Sequence, residues 1–153
     1  MSVWLEKNAD FTPGKIAIRV EGEEITYRSF TETVHKHART LKHVYGIGRG
    51  DRIAFLGMNH PDLLYLFFAC ARLGAIFLPL NWRLAVPEHL FILKDATAKL
   101  LICDAEFEKH ANKLKKDLSD CDLVSSDFEA DNWHSLQKDL LITDGDNSNP
   151  HVT

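Results

Sequence analysis

DRIAFLGMNHPDLLYLFFACARLGAIFLPLNWRLAVPEHLFILKDATAKLLICD, residues 51–104, alternates three short apolar runs with two longer helical patterns. Runs rich in β-branched, leucine and aromatic residues, without polar alternation, are what parallel strands look like when helices cover both faces of a sheet. Strands spaced by helices of this length form βαβ units. The spacing therefore predicts strands over 52–56, 76–80 and 99–103. Asn59 is expected to cap the first intervening helix, with Pro61 in its first turn, where a missing N–H costs nothing. That helix carries Leu63, Leu64, Leu66, Phe67, Phe68 and Ala69 almost all round, so it is expected to be deeply buried and followed by a buried strand. Pro87 opens the second helix, with Leu90, Ile92 and Leu93 inward.

Outward from this stretch the patterns weaken. Upstream, residues 15–20 and 24–27 alternate about a polar gap containing Gly22, a plausible β-hairpin. Phe30, Val34, Ala38, Leu41 and Tyr45 then recur at three- and four-residue spacing, a long amphipathic helix with Gly46 at its end. Downstream, residues 105–118 read as a more polar helix with four lysines. Residues 123–125 read as a further strand. The expected division is an α/β unit over 1–142 and a polar, acidic, disordered connector over 143–153.

Composition narrows the class. The chain has 153 residues, enough for about one domain, with 45% hydrophobic and 26% charged residues. The net charge of −4 is unevenly spread: residues 1–116 hold 17 Lys/Arg and 13 Asp/Glu, whereas 117–153 hold 1 and 9. An acidic end has the wrong sign for nucleic-acid phosphates. Residues 63–80 are nearly all apolar but contain Arg72, Gly74 and Pro79, and a spanning helix tolerates few such interruptions. Cys70, Cys103 and Cys121 leave one cysteine unpaired under any disulfide scheme. They read as reduced core residues, which with the absence of a basic-then-apolar leader points to the cytoplasm.

The motifs that carry chemistry elsewhere are mostly missing. Gly46-Ile47-Gly48-Arg49-Gly50-Asp51 has glycines, but a dinucleotide fingerprint needs the strand before them and the helix after, and here the order is reversed. It reads as a connector, and Arg49-Gly50-Asp51 as a turn. The eight histidines lack metal-ligand spacing, and there is no Cys-x-x-Cys. They are expected to be solvated. No Gly-x-Ser-x-Gly elbow occurs. Trp82 and Arg83 stand apart, because they follow the second strand at its C-terminal end, where open α/β sheets place ligands. Arginine offers a planar fork for phosphate and stacks on aromatic rings. The alternative is an exposed loop cation packed over a half-buried tryptophan.

From Ile25-Thr26-Tyr27 through Gly50-Asp51-Arg52-Ile53-Ala54, Asn59-His60-Pro61-Asp62, the run from Ala71 to Asn81, Arg83-Leu84 and Leu101-Ile102-Cys103-Asp104, the chain resembles the N-terminal portion of the adenylate-forming superfamily. That superfamily comprises acyl-CoA synthetases, luciferases and peptide-synthetase adenylation domains, and the Asn-x-Arg-Leu loop brings acyl-CoA synthetases nearest. The resemblance implies a βαβαβ parallel-sheet subdomain preceded by a β-hairpin and a long helix. It implies a parent enzyme that joins a carboxylate to ATP as an acyl-adenylate and then to coenzyme A, using Mg²⁺. It assigns Arg83, with Trp82 beside it, to the nucleotide end of coenzyme A, and assigns no catalytic and no metal-binding residue. The family's Ser/Thr/Gly-rich phosphate loop, Tyr-Gly-x-Thr-Glu segment and lid lysine do not occur in these residues. The expectation is a scaffold portion, inactive alone, whose apolar faces meet the rest of a ligase, another protein or a second copy. A stand-alone binding module derived from the same family is the alternative.

Overall fold

In the computed structural model, which describes residues 1–144, strand β3 (Arg52–Leu56) runs parallel between two neighbours. On one side lies β4 (Ile76–Pro79), with Arg52 opposite Ile76; on the other lies β5 (Leu100–Cys103), with Ile53 opposite Leu100. Beyond β5 come β6 (Asp122–Ser125) and β7 (His134–Ser135), giving a five-stranded parallel sheet in the order β4-β3-β5-β6-β7. Helix α3 (Pro61–Leu73) joins β3 to β4, and α4 (Val86–Asp95) joins β4 to β5 across the sheet.

The two helices lie on opposite faces. Ile53, Phe55, Leu100, Ile102 and Val124 pack toward α3 (Leu66, Ala69, Cys70) and toward the long helix α2 (Tyr27–His43). Their neighbours Ala54, Leu56, Leu101, Cys103 and Leu123 pack on the other face against α4 and α5 (Glu108–Lys115). Successive strand residues point to opposite faces, so covering both faces requires the unbroken apolar runs seen in the sequence. Each buried leucine or isoleucine contributes about 1.5–3 kcal/mol through surface withdrawn from water.

The expected hairpin is present as β1 (Ile16–Val20) and β2 (Glu23–Thr26). Glu21 and Gly22 both take positive φ, 48° and 83°, the two-residue turn whose twist matches antiparallel strands. Thr26 then caps α2 by accepting from the Ser29 amide.

Several expectations need correcting. Strand β4 is the sheet edge, and Ile76 is 48% exposed instead of buried. Helix α3 buries only one side; Leu64 on its other side is 37% exposed. The cap of α3 is His60, not Asn59, because the extended backbone of His60 brings its Nδ1 within 3.3 Å of the Asp62 amide. Nor are the histidines uniformly solvated: His37 and His89 are buried. Two helices escaped the sequence reading. Helix α1 (Ser2–Phe11) is amphipathic only weakly and packs mainly through Leu5. Helix α6 (Leu136–Asp144) packs back on α2, and Tyr45, just past the end of α2, donates to Asp139 at 2.7 Å. It continues through position 142 to Asp144, the last described residue. The expected connector from 145 onward lies outside the described residues.

Candidate functional site

The chain leaves β4 at its C-terminal end and enters a tight turn over residues 81–84. The Asn81 carbonyl accepts from Leu84 N–H at 3.1 Å, and the Asn81 side-chain oxygen accepts from Arg83 N–H at 3.1 Å. A short polar side chain that bonds the backbone two residues on is what asparagine supplies at a turn. Trp82 and Arg83 thus occupy the two central positions and project outward. Trp82 is 44% exposed, and the Arg83 guanidinium carbon stands 5.0 Å from the Trp82 ring centroid, a cation–π arrangement. An exposed guanidinium over an exposed ring offers both a fork for phosphate oxygens and a face on which a planar base stacks.

The turn is also held from below. The buried His89 side chain of α4 reaches up with Nε2 2.8 Å from the Asn81 carbonyl oxygen. Its Nδ1 lies 2.8 Å from Nε2 of His110 on α5. The start of α4 closes on the same segment: Glu88 accepts from Ala85 N–H at 2.8 Å while the Ala85 carbonyl accepts from Glu88 N–H at 3.1 Å. Burial, with His89 and Lys113 nearby, lowers the His110 pKa below its ordinary value and keeps that ring neutral near pH 7.

The sheet offers a second place where a ligand could be sought. Strand order reverses at β3, so the crevice beyond the C-terminal ends of β3 and β5 is the topological switch point. It measures about 190 Å³ and is lined by Met58, His60, Asp62, Asp104, Glu106 and Asp127 among others. Asp104 plugs its base by accepting from Met58 N–H at 3.0 Å. Burial and the neighbouring Asp127 raise the Asp104 pKa. Four carboxyl groups repel an anionic ligand. The crevice therefore disfavours an anion, whereas the turn at 81–84 presents a cation.

The sequence relationships agree with this architecture. Residues 5–152 match the family model described as AMP-binding enzyme. The chain belongs to the AMP-binding enzyme family. Among its relatives, the indoleacetate–CoA ligase of Aromatoleum aromaticum is 38% identical over 146 residues, which is 95% of this chain and 28% of that protein. The 2-succinylbenzoate–CoA ligase of Bacillus velezensis is 31% identical over 153 residues, 96% of this chain and 31% of that protein. A fatty acyl CoA synthetase of Mycobacterium tuberculosis superposes with a TM-score of 0.77 at 28% identity, covering 92% of this chain and 28% of that one. An anthranilate CoA ligase solved with anthranoyl-AMP superposes with a TM-score of 0.85 over 92% of this chain and 27% of that one; at 24% identity this likeness carries the fold alone. The chain thus spans under a third of the curated relatives it matches.

As an AMP-binding enzyme portion, the described residues contain no group of three or more His, Cys, Asp or Glu side chains placed to hold a metal ion. No described helix is long and apolar enough to cross a membrane. Of the two residues picked from the sequence, Trp82 and Arg83 do come together on one turn. The residues beneath them, His89 and His110, leave no sign in the sequence, since neither spacing nor composition shows that side chains 21 apart meet across two helices.

Proposed function

We propose that this chain supplies the first α/β layers of an ATP-dependent acyl-CoA synthetase, and that Arg83 contacts the nucleotide end of coenzyme A with Trp82 beside it. The single observation that carries the site assignment is the pinned, outward-facing turn at 81–84, with its guanidinium 5.0 Å from the Trp82 ring. Family membership supports the ligase reading, since the relatives named above are CoA ligases. In the parent reaction a carboxylate attacks ATP to form an acyl-adenylate, and coenzyme A thiolate then displaces AMP. Within that sequence the residues here bind and orient coenzyme A. The phosphate loop, lid lysine and Mg²⁺ donors come from elsewhere in the parent, so these 153 residues alone catalyse no adenylation.

The apolar surface favours a covering partner. Ile76 on the edge strand, Leu64 on α3 and Phe91 on α4 are exposed apolar side chains on separate elements, which a covering partner would withdraw from water. The remainder of the ligase is the occupant we favour. A stand-alone module using the same surface for another protein, or for a second copy, is the competing reading. Three buried free cysteines fit a reducing cytoplasm.

Calorimetric titration of the chain with coenzyme A and with adenosine 3′,5′-bisphosphate tests the site. Both should bind, and Arg83→Ala should weaken both about ten-fold or more, the loss of a charge-assisted contact. Equal binding by wild type and Arg83→Ala would remove Arg83 from the site. ATP–pyrophosphate exchange by the purified chain with any carboxylic acid would refute the scaffold role.

A further inference from the structure

The buried histidine pair has no part in the function proposed above, yet with both rings neutral its geometry admits one proton arrangement. The Asn81 carbonyl oxygen is an acceptor only, so the ring nitrogen 2.8 Å from it, His89 Nε2, must carry a hydrogen. In a neutral His89 ring the other nitrogen, Nδ1, is then an acceptor. The atom facing it at 2.8 Å, His110 Nε2, must therefore donate. The result is a one-way chain of donors from α5 through α4 to the turn: His110 Nε2–H to His89 Nδ1, and His89 Nε2–H to Asn81 O. The neutral His110 ring noted above satisfies the same requirement.

We infer that His89 is a positioning residue for the coenzyme A turn, with His110 fixing the His89 ring in the tautomer that grips the Asn81 carbonyl. Asn81 is the shared anchor. Its carbonyl receives His89 and Leu84 N–H, and its side chain receives Arg83 N–H, so whatever holds Asn81 also sets where Arg83 and Trp82 stand. His89 is fully buried, so its ring has no solvent in which to rotate and hands its orientation directly to the turn. A second-layer hydrogen bond that selects a histidine tautomer is a recurrent device for fixing what the other ring nitrogen holds. The inference that this serves coenzyme A rests on the Arg83 assignment; the relay itself does not.

The test uses the whole chain labelled with ¹⁵N. Ring nitrogen shifts of His89 should report the proton on Nε2 and an acceptor at Nδ1, and this needs no variant. In His110→Ala the His89 signature should change, and amide exchange at Arg83 and Leu84 should quicken about ten-fold, the weight of roughly one hydrogen bond. The Trp82 indole resonance should move with them. His110→Gln, whose amide N–H reaches for the same nitrogen, should return all three toward wild type, a rescue that general loss of packing would not give. Adenosine 3′,5′-bisphosphate should bind His110→Ala several-fold more weakly than wild type or His110→Gln. A proton on His89 Nδ1, or Arg83 and Leu84 exchange within two-fold of wild type in His110→Ala, would overturn the relay. If wild type fails to bind the bisphosphate while the tautomer and exchange results hold, the coenzyme A assignment falls and the relay stands.

Discussion

Glu6 accepts from Arg72 through a single carboxylate oxygen 2.7 Å from the guanidinium, and the same oxygen lies 2.5 Å from His35 Nε2. One side chain of α1 thereby ties down α2 and α3 together, although α1 buries little besides Leu5. Half-exposed ion pairs contribute modestly, but removing one partner here strands Arg72, whose Nε has no hydrogen-bond partner among the described residues. Glu6→Ala should lower stability by about 1 kcal/mol. A urea unfolding curve with unchanged slope and a lower midpoint would check it, and an unchanged midpoint would count against the latch.

His37 makes stability depend on pH. Its Nδ1 meets the Thr33 carbonyl at 2.8 Å, while its Nε2 is buried without a hydrogen-bond partner among the described residues. Desolvation lowers its pKa below the ordinary 6.5, so between the two values the unfolded chain binds a proton that the folded chain refuses. The contribution is therefore complete above about pH 6.5 and is lost as pH falls below it. His37→Phe keeps a ring against Tyr65 and removes the titration. Urea midpoints from pH 7.5 down to 5.5 should fall more steeply in wild type than in His37→Phe; parallel slopes would contradict this.

Two glycines should respond in opposite ways to alanine. A Cβ on Gly57 would sit 2.6 Å from the Asp104 carboxylate and 2.8 Å from the Phe55 ring, where β3 meets the plugged crevice. Gly57→Ala should cost about 1–3 kcal/mol by overpacking. Gly14 has open space around that position, so Gly14→Ala should be neutral or stabilising by up to about 1 kcal/mol through the unfolded chain's lost freedom. Thermal melts of both variants decide.

The cysteines should resist thiol reagents in the folded chain. Burial pushes the Cys70 thiol up to about 12 and Cys121 to about 11, and it raises Cys103 as well. Because the thiolate is the nucleophile, a disulfide reagent at pH 8 should label none of the three within minutes and all three in urea. Rapid native labelling of any one would show that its segment opens.

The strands β3, β5 and β6, the hairpin and the body of α2 were legible because each announces itself by local pattern. A continuous apolar run, a glycine in a polar gap and a three-to-four-residue stripe need no knowledge of the rest of the chain. The exposure of Trp82 and Arg83 was legible by position, because a polar loop just beyond a strand end runs over the surface. Helix α1 was not legible, because its apolar residues form no clear stripe and its place depends on Glu6 meeting Arg72 across 66 positions. His89 and His110 look alike in sequence to the solvated histidines His43 and His60, and only packing separates them.

The chain's sequence by itself thus determined the class of fold, the parallel βαβαβ core and the turn that presents Arg83. Those follow from which residues avoid water and from local backbone preferences. Tertiary structure alone decided that β4 is an exposed edge, that the switch-point crevice is small and acidic, and that two distant histidines share one proton path to Asn81. Strand order and helix placement bring those groups together, and such neighbours are joined through space by contacts that no run of adjacent residues encodes.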